Sequence, residues 1–191
     1  MAGILMTDPG FGRGHTLGVT DPDQGTSVTG TQKTFTDSDP RTSEASKFYS
    51  NRPVTCLALR NVSGSTVEAG TVVAFTAADI LNSFDSAAAD ATGLCGVVDE
   101  YLPPVVSQTI DGKAVETGGC ADGDVCWVVV SGPVAVTTSA APAAGDEVAI
   151  SGGEVADGAD GIFAISAPGV NTDAAKVRVL IGACSEHSIG P

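Results

Sequence analysis

The chain has 191 residues and a mass of 18.9 kDa, which suits one domain of ordinary size with a tail but not two full domains. Its 23 acidic and 9 basic side chains give a formal charge of -14, which opposes binding to a nucleic-acid backbone. The apolar runs are far shorter than the roughly 18 residues of a membrane span, so we expect neither nucleic acid nor a membrane as a partner.

Residues 1–53 are predicted to form an extended N-terminal arm. Of the 40 residues from Thr7 to Ser46, 27 are Gly, Ser, Thr, Asp or Pro, and such a stretch buries too little apolar surface to offset its conformational entropy. The arm still holds four of the nine aromatic residues. We therefore expect it to become ordered against a partner or a neighbouring subunit, the alternative being a disordered tail with incidental aromatic side chains.

Residues 54–191 are predicted to form a β domain. Short runs of Val, Ala, Ile and Leu alternate with turn signals such as Asp111-Gly112, and helical periodicity is nearly absent. This pattern predicts an all-β fold, a small antiparallel β-barrel or sandwich, with Ser131-Gly132 as one of its turns. The predicted strands are Val54–Val62, Thr71–Thr76, Leu94–Asp99, Val105–Ile110, Val125–Val130, Val134–Thr138, Glu147–Ile150, Ile162–Ser166 and Val177–Cys184.

One segment of this domain is predicted to be helical. Between Ala77 and Ala91, the apolar residues Ile80, Leu81 and Phe84 fall on one face of a helix. The alanines around them favour a helix by intrinsic propensity. We therefore predict one short connecting helix over this range.

Residue types used in catalysis are few or poorly placed. The two histidines, His15 and His187, lie in the arm and near the C-terminal end, so we predict no histidine-based acid or base catalysis. The glycine-rich run at residues 10–14 lacks a preceding strand, a following helix and a Lys-Ser/Thr pair, which a phosphate-binding loop needs. The sequence predicts no catalytic residue and no cofactor.

The cysteines and acidic turns are also given structural interpretations. Five cysteines at irregular spacing in apolar surroundings are typical of reduced, buried thiols. Cys120 and Cys126 are six residues apart, which is not a zinc-ligand spacing. Acidic turns at 118–124 and 152–160 could attract calcium, but ordinary β-turns are favoured. Trp127 is predicted to lie in the core, the alternative being a subunit interface.

A succession of strand and turn motifs runs through residues 54 to 185. The motifs are, in order, Leu59-Arg60-Asn61-Val62-Ser63-Gly64, Val67-Glu68-Ala69-Gly70-Thr71-Val72-Val73, Gly93-Leu94-Cys95-Gly96-Val97-Val98, Asp122-Gly123-Asp124-Val125, Val128-Val129-Val130-Ser131-Gly132-Pro133-Val134, Ala143-Ala144-Gly145-Asp146-Glu147-Val148 and Val177-Arg178-Val179-Leu180-Ile181-Gly182. This succession resembles a known family, the capsid cement or head decoration proteins of tailed bacteriophages. The arm of about fifty residues is longer than the N-terminus expected for that family.

The resemblance implies a structural virion protein without catalytic activity. Its expected partner is the major capsid protein of the same phage, and it is expected to bind the outer surface of the assembled capsid, stabilising contacts between capsomers. It also implies a homo-oligomer, a trimer, made in the host cytoplasm.

The arm supplies the residues that we expect to contact the capsid. Aromatic rings anchor in apolar pockets at interfaces, and arginine pairs with carboxylates through two hydrogen bonds. Residues 54–191 hold four basic and seventeen acidic side chains, a net charge of -13, so we expect this domain to face solvent while the arm docks. The predicted capsid-binding residues are Phe11, Arg13, Phe35, Arg41, Phe48, Tyr49 and Arg52.

Two other functions stay open at this stage. Some hairpins resemble those of biotinyl or lipoyl carrier domains, which need a lysine at an exposed hairpin tip. Residues 54–191 contain only Lys113 and Lys176, neither in a Met-Lys-Met setting. A hydrolase with paired carboxylates is a further alternative, although aromatic residues for binding a sugar are scarce.

Overall fold

The regular elements of the described chain are all β-strands, and no helix element is present among the described residues. The computed structural model describes residues 11–18, 28–37, 52–76, 82–85, 95–138, 147–151, 154–157, 164–166 and 176–181. The predicted all-β class is confirmed. The strands are β1 (Gln32–Thr36), β2 (Pro53–Asn61), β3 (Val72–Phe75), β4 (Ser83–Asp85), β5 (Cys95–Val98), β6 (Val106–Ile110), β7 (Lys113–Thr117), β8 (Val125–Thr137), β9 (Glu147–Ser151), β10 (Glu154–Asp157), β11 (Ala164–Ser166) and β12 (Lys176–Ile181).

Ten of these strands belong to one hydrogen-bonded sheet, in the order β1-β2-β4-β3-β5-β8-β12-β11-β9-β10. β2 and β4 are parallel, and the other pairs are antiparallel. β8 also pairs with β2, so the pairings run from β2 through β4, β3, β5 and β8 back to β2. β6 and β7 form a separate two-stranded sheet.

The 13-residue strand β8 occupies the centre of the fold. Its first half pairs with β2 and β5, and its second half pairs with β12. The pairing register between β2 and β8 shifts between Thr55 and Cys56: Cys56 pairs with Val129, whereas Thr55 pairs with Ser131. Gly132 follows at φ 101, and a Cβ there would clash with the carbonyl oxygen of Pro53. The predicted turn at Ser131-Gly132 is therefore wrong: the glycine lets the strand continue past a close backbone approach.

β2 and β8 are buried on both faces, so the core has two parts. Alternate side chains of a strand point to opposite faces. Trp127 and Val129 therefore belong to one cluster, together with Val54 from β2. Cys126 and Val128 belong to the other.

The predicted helix over 77–91 is not supported. Its centre, Ser83–Asp85, is the short strand β4, which pairs with β2 and β3. Phe84 is fully buried in the second core cluster. Burial of this ring between strands outweighs the weak helix propensity of the flanking alanines. Residues 77–81 and 86–91 lie outside the described residues.

The described parts of the predicted arm belong to the domain's own fold. β1 pairs with β2 over five residues. Leu17 exchanges backbone hydrogen bonds with Val125 at 2.9 and 3.0 Å. Phe11 and Val28 are buried in the first core cluster. An extended arm is therefore not supported over 11–18 and 28–37, and its other residues lie outside the described ranges.

Candidate interaction surfaces

An aromatic cluster joins the N-terminal segment to β8. The Phe11 ring stacks on the fully buried Trp127 ring with centroids 4.7 Å apart. Phe35 from β1 meets the same ring edge-on at 5.3 Å. Trp127 Nε1 donates a hydrogen bond to the Phe11 carbonyl oxygen at 3.2 Å. Trp127 is thus a core residue, as predicted, and the core includes side chains from the predicted arm.

A buried ionic cluster is formed by Arg13, two residues after Phe11, with Asp99 and Glu100. The Arg13 side chain is 7% exposed, and its Nε donates to the fully buried Asp99 carboxylate at 2.9 Å. Arg13 Nη2 lies 3.4 Å from Glu100, and the guanidinium stacks on the Tyr101 ring at 4.2 Å. Burial lowers the pKa of Arg13, but the two carboxylates outweigh burial and raise it above its usual value.

The same carboxylates tie the cluster to the backbone. The Gly14 N–H donates to Asp99 at 2.6 Å, and the Ala135 N–H of β8 donates to Glu100 at 3.0 Å. The Asp99 N–H donates to the Trp127 carbonyl oxygen. The N-terminal segment, the end of β5 and β8 are therefore held by charged and polar contacts as well as by ring stacking.

The structure places the seven predicted capsid-binding residues in three groups. Phe11 and Arg13 are engaged inside the chain, and Phe35 is half-buried against Trp127. Arg52 is exposed directly before β2. Arg41, Phe48 and Tyr49 lie outside the described residues. The partners of Arg13 are 86 and 87 residues away in sequence, and nothing local to Arg13 indicated them.

The described cysteines are free thiols in apolar surroundings. Cys56, Cys120 and Cys126 are buried, and Cys95 is half-buried. Burial raises the pKa of Cys126 well above its usual value, and a hydrogen bond with Cys120 acts in the same direction. Burial also raises the pKa of Cys56 to about 12, although the nearby Arg13 guanidinium opposes the rise. Cys184 lies outside the described residues.

The Cys56 thiol is expected to make the protein less stable in alkali. Below pH 9.0, its ordinary pKa, the thiol is protonated in both the folded and unfolded states. Above pH 9.0 only the unfolded thiol ionises, so the free energy of unfolding falls by about 1.4 kcal/mol per pH unit. In urea unfolding between pH 7 and 11, the stability advantage of the wild type over Cys56→Ala should stay constant to about pH 9 and then shrink at that rate.

The exposed Ser107→Ala variant is the matched control, and its difference from the wild type should not change with pH. An equally constant difference for Cys56→Ala across the whole range would contradict the prediction.

The β6–β7 hairpin stands apart from the core. Every residue of both strands is exposed. The two-residue turn has Asp111 at φ 52 and Gly112 at φ 75, which matches a type I′ turn and was signalled by the Asp-Gly pair. Ile110 pairs with Lys113 directly beside this turn. Lys113 thus lies exposed at the tip of the hairpin.

One face of this hairpin is apolar although it is exposed. Residues paired across two strands project from the same face, so Val106, Ile110 and Val115 share a face with Gln108, Lys113 and Thr117. These three apolar side chains are 45%, 51% and 36% exposed, and among the residues whose side-chain exposure is described only Val62 joins them as an exposed large apolar residue. The opposite face carries Ser107, Thr109, Ala114 and Glu116. The apolar face is therefore a candidate protein-binding surface.

Other candidate sites have structural explanations where the chain is described. In the turn at 118–124, the Asp122 carboxylate accepts a hydrogen bond from the Gly64 N–H at 2.9 Å. Within the described ranges no three His, Cys, Asp or Glu side chains are grouped as a metal ion would require. The same part of the chain contains no helix long and apolar enough to cross a membrane. Most of the second acidic turn, at 152–160, lies outside the described residues.

Comparison of the sequence with models of known protein families and with curated proteins finds no match.

Proposed function

We propose that this chain is a structural protein that binds the outer surface of an assembled phage capsid and stabilises contacts between capsomers. The succession of strand and turn motifs from residue 54 to 185 supports the proposal. We further propose that the domain is a small β-barrel, which is supported by the pairings that run from β2 through β4, β3, β5 and β8 back to β2. The proposed protein is a homo-oligomer, a trimer, and its function uses neither a catalytic step nor a cofactor.

The observation that carries the proposal is the exposed apolar face of the β6–β7 hairpin. A two-stranded hairpin is only marginally stable in water unless a further strand or another surface covers its apolar face. In the described chain Val106, Ile110 and Val115 have no such cover. Contact with another protein would bury this apolar face and so stabilise the hairpin. Such a surface suits a molecule whose role is to join subunits.

The capsid contacts are proposed to lie in the segment before β2. Phe11, Arg13 and Phe35 contact other parts of the chain. The proposal therefore keeps Arg41, Phe48 and Tyr49 from the predicted set, together with Arg52 because its side chain is exposed. Residues 1–53 carry five basic and six acidic side chains, a net charge of -1, against -13 for the rest of the chain. This segment therefore approaches an acidic capsid surface with the least repulsion.

Co-sedimentation with phage heads tests the proposal. The full chain should pellet with assembled heads prepared without it, and should stay in the supernatant with dissociated capsid subunits. Arg52→Glu should weaken head binding about tenfold, a loss of about 1.4 kcal/mol. Ala114→Glu is the control: it places the same new carboxylate on the opposite, polar face of the exposed hairpin and should bind heads like the wild type. Failure of the wild-type chain to pellet with heads would refute capsid binding.

The position of Lys113 keeps a carrier function as the second candidate. Lys113 is exposed directly after the type I′ turn, where a carrier domain presents the lysine that receives biotin or lipoate. Its neighbours are Gly112 and Ala114 in place of methionines. Intact-mass analysis of the chain made in cells with biotin and lipoate ligases decides the point. An added acyl group that is lost in Lys113→Arg would favour the carrier, and an unmodified mass would exclude it.

A further inference from the structure

We propose that two copies of this chain pair through the outer edge of β6, so that their hairpins form one four-stranded antiparallel sheet. The inference goes beyond capsid binding and does not depend on it. In the described chain β6 pairs only with β7, which leaves the backbone groups of its other edge available. An exposed strand edge is a template for pairing with another strand.

The hairpin geometry fixes which groups face that edge. The Ile110–Lys113 pair beside the two-residue turn is a hydrogen-bonded pair, and such pairs alternate along an antiparallel ladder. The backbone N–H and C=O groups of Val106, Gln108 and Ile110 therefore point towards β7. Those of Ser107 and Thr109 point outwards, towards the second copy.

The sequence of β6 also fixes the register. A twofold axis at Gln108 puts Val106 opposite Ile110 of the second copy, and the converse pair follows by symmetry. Ser107 then exchanges backbone hydrogen bonds with Thr109 of the second copy. Shifts by one residue would set apolar side chains against the polar face. The apolar faces of the two hairpins become continuous, which supplies the additional strands that an isolated hairpin lacks.

Charge favours this edge over other surfaces for contact between copies. Each chain carries a net charge of -14, so two copies repel each other over most approaches. β6 reads Val-Ser-Gln-Thr-Ile and contains no charged side chain. Edge strands are commonly protected from pairing by lysine, proline or inward-pointing charges, and β6 has none of these. Because the contact is symmetric it closes at two copies, and within a set of trimers it would join one trimer to the next.

Cysteine cross-linking of the purified full chain tests the pairing. In the proposed register Gln108 lies opposite its own copy in a pair that is not hydrogen-bonded, where Cα atoms are about 4.5 Å apart. This spacing is within the range of a disulfide. Under mild oxidation, Gln108→Cys should form covalent dimers at least about tenfold faster than Thr109→Cys, because pairing raises the effective thiol concentration. Thr109 is the matched control: it is equally exposed, but its copies are offset by two residues.

Further variants make the test decisive. Adding Ile110→Lys to Gln108→Cys should abolish the rapid cross-linking, whereas adding Ala114→Lys on the opposite face of β7 should not. Raising the salt concentration should speed cross-linking, because it screens the repulsion between acidic chains. Labelling with a maleimide verifies that each introduced thiol is reactive. Equal rates at positions 108 and 109, or no dimer from a reactive Cys at 108, would overturn the proposal.

Discussion

Replacing Arg13 by alanine is expected to lower the free energy of unfolding by about 3–5 kcal/mol, because it leaves a fully buried carboxylate without its counter-charge. Asp99 is 0% exposed and receives the Arg13 Nε hydrogen bond at 2.9 Å. The Gly14 N–H also reaches this carboxylate, but a neutral donor does not balance the charge. Urea unfolding at pH 7, followed by Trp127 fluorescence, measures the loss.

Two further variants separate the buried ion pair from a general effect of charge. Lys113→Ala removes an equal charge from an exposed position and should change stability by less than about 0.5 kcal/mol. Arg13→Ala combined with Asp99→Ala should be about 1–3 kcal/mol more stable than the sum of the single losses predicts. A loss for Arg13→Ala as small as that for Lys113→Ala would show that Asp99 does not depend on this partner.

A chain that begins at Ser50 is expected not to fold. The deletion removes Phe11 and Val28 from the first core cluster, Arg13 from the ionic cluster, and β1 from the edge of β2. Loss of one buried phenylalanine side chain costs about 3–5 kcal/mol, and the deletion also removes the buried Val28 side chain, the β1 pairing and the Arg13–Asp99 ion pair. Together these losses approach or exceed the stability of about 5–15 kcal/mol that is typical of a domain. Circular dichroism should show no cooperative thermal transition.

A chain that begins at Pro9 is the control, because it keeps Phe11, Arg13 and β1. It should melt within a few degrees of the full chain, which corresponds to about 1 kcal/mol or less. A cooperative transition of the chain from Ser50 at the wild-type temperature would show that the N-terminal contacts are dispensable for folding. Loss of head binding by that chain would not identify a capsid contact, since an unfolded chain binds nothing specifically.

Hydrophobic pattern and turn chemistry predicted the strands that lie in the core. β2, β3, β5 and β12 occur close to the predicted ranges, because their Val, Ile and Leu residues are both β-formers and core residues. β1 and β7 were missed, since Gln32–Thr36 and Lys113–Thr117 are mostly polar and are held by pairing with a neighbour rather than by burial. This polar composition is the reason that the sequence predicts an arm over the segment that holds β1.

For the candidate surfaces, too, local features could be predicted from the sequence, whereas contacts between distant residues could not. Asp111-Gly112 gave the position of the hairpin turn, and alternation along β6 was visible in Val106, Gln108 and Ile110. That this face is exposed depends on what packs nearby, and no short window of sequence contains that information. The Arg13–Asp99 contact joins residues 86 apart, and Arg13 taken alone suits an external carboxylate equally well. Only the three-dimensional arrangement distinguishes an internal partner from an external one.

The contact between Phe11 and Trp127 also constrains the order of events during synthesis. The two residues are 116 positions apart, so at roughly 5–20 residues per second the N-terminal segment leaves the ribosome about 6–23 s before Trp127 is synthesised. A hydrophobic segment exposed for that time would risk aggregation. The excess of Gly, Ser, Thr, Asp and Pro between Thr7 and Ser46 keeps this segment hydrated during that interval, and the Phe11 and Phe35 rings pack on Trp127 only after β8 has emerged.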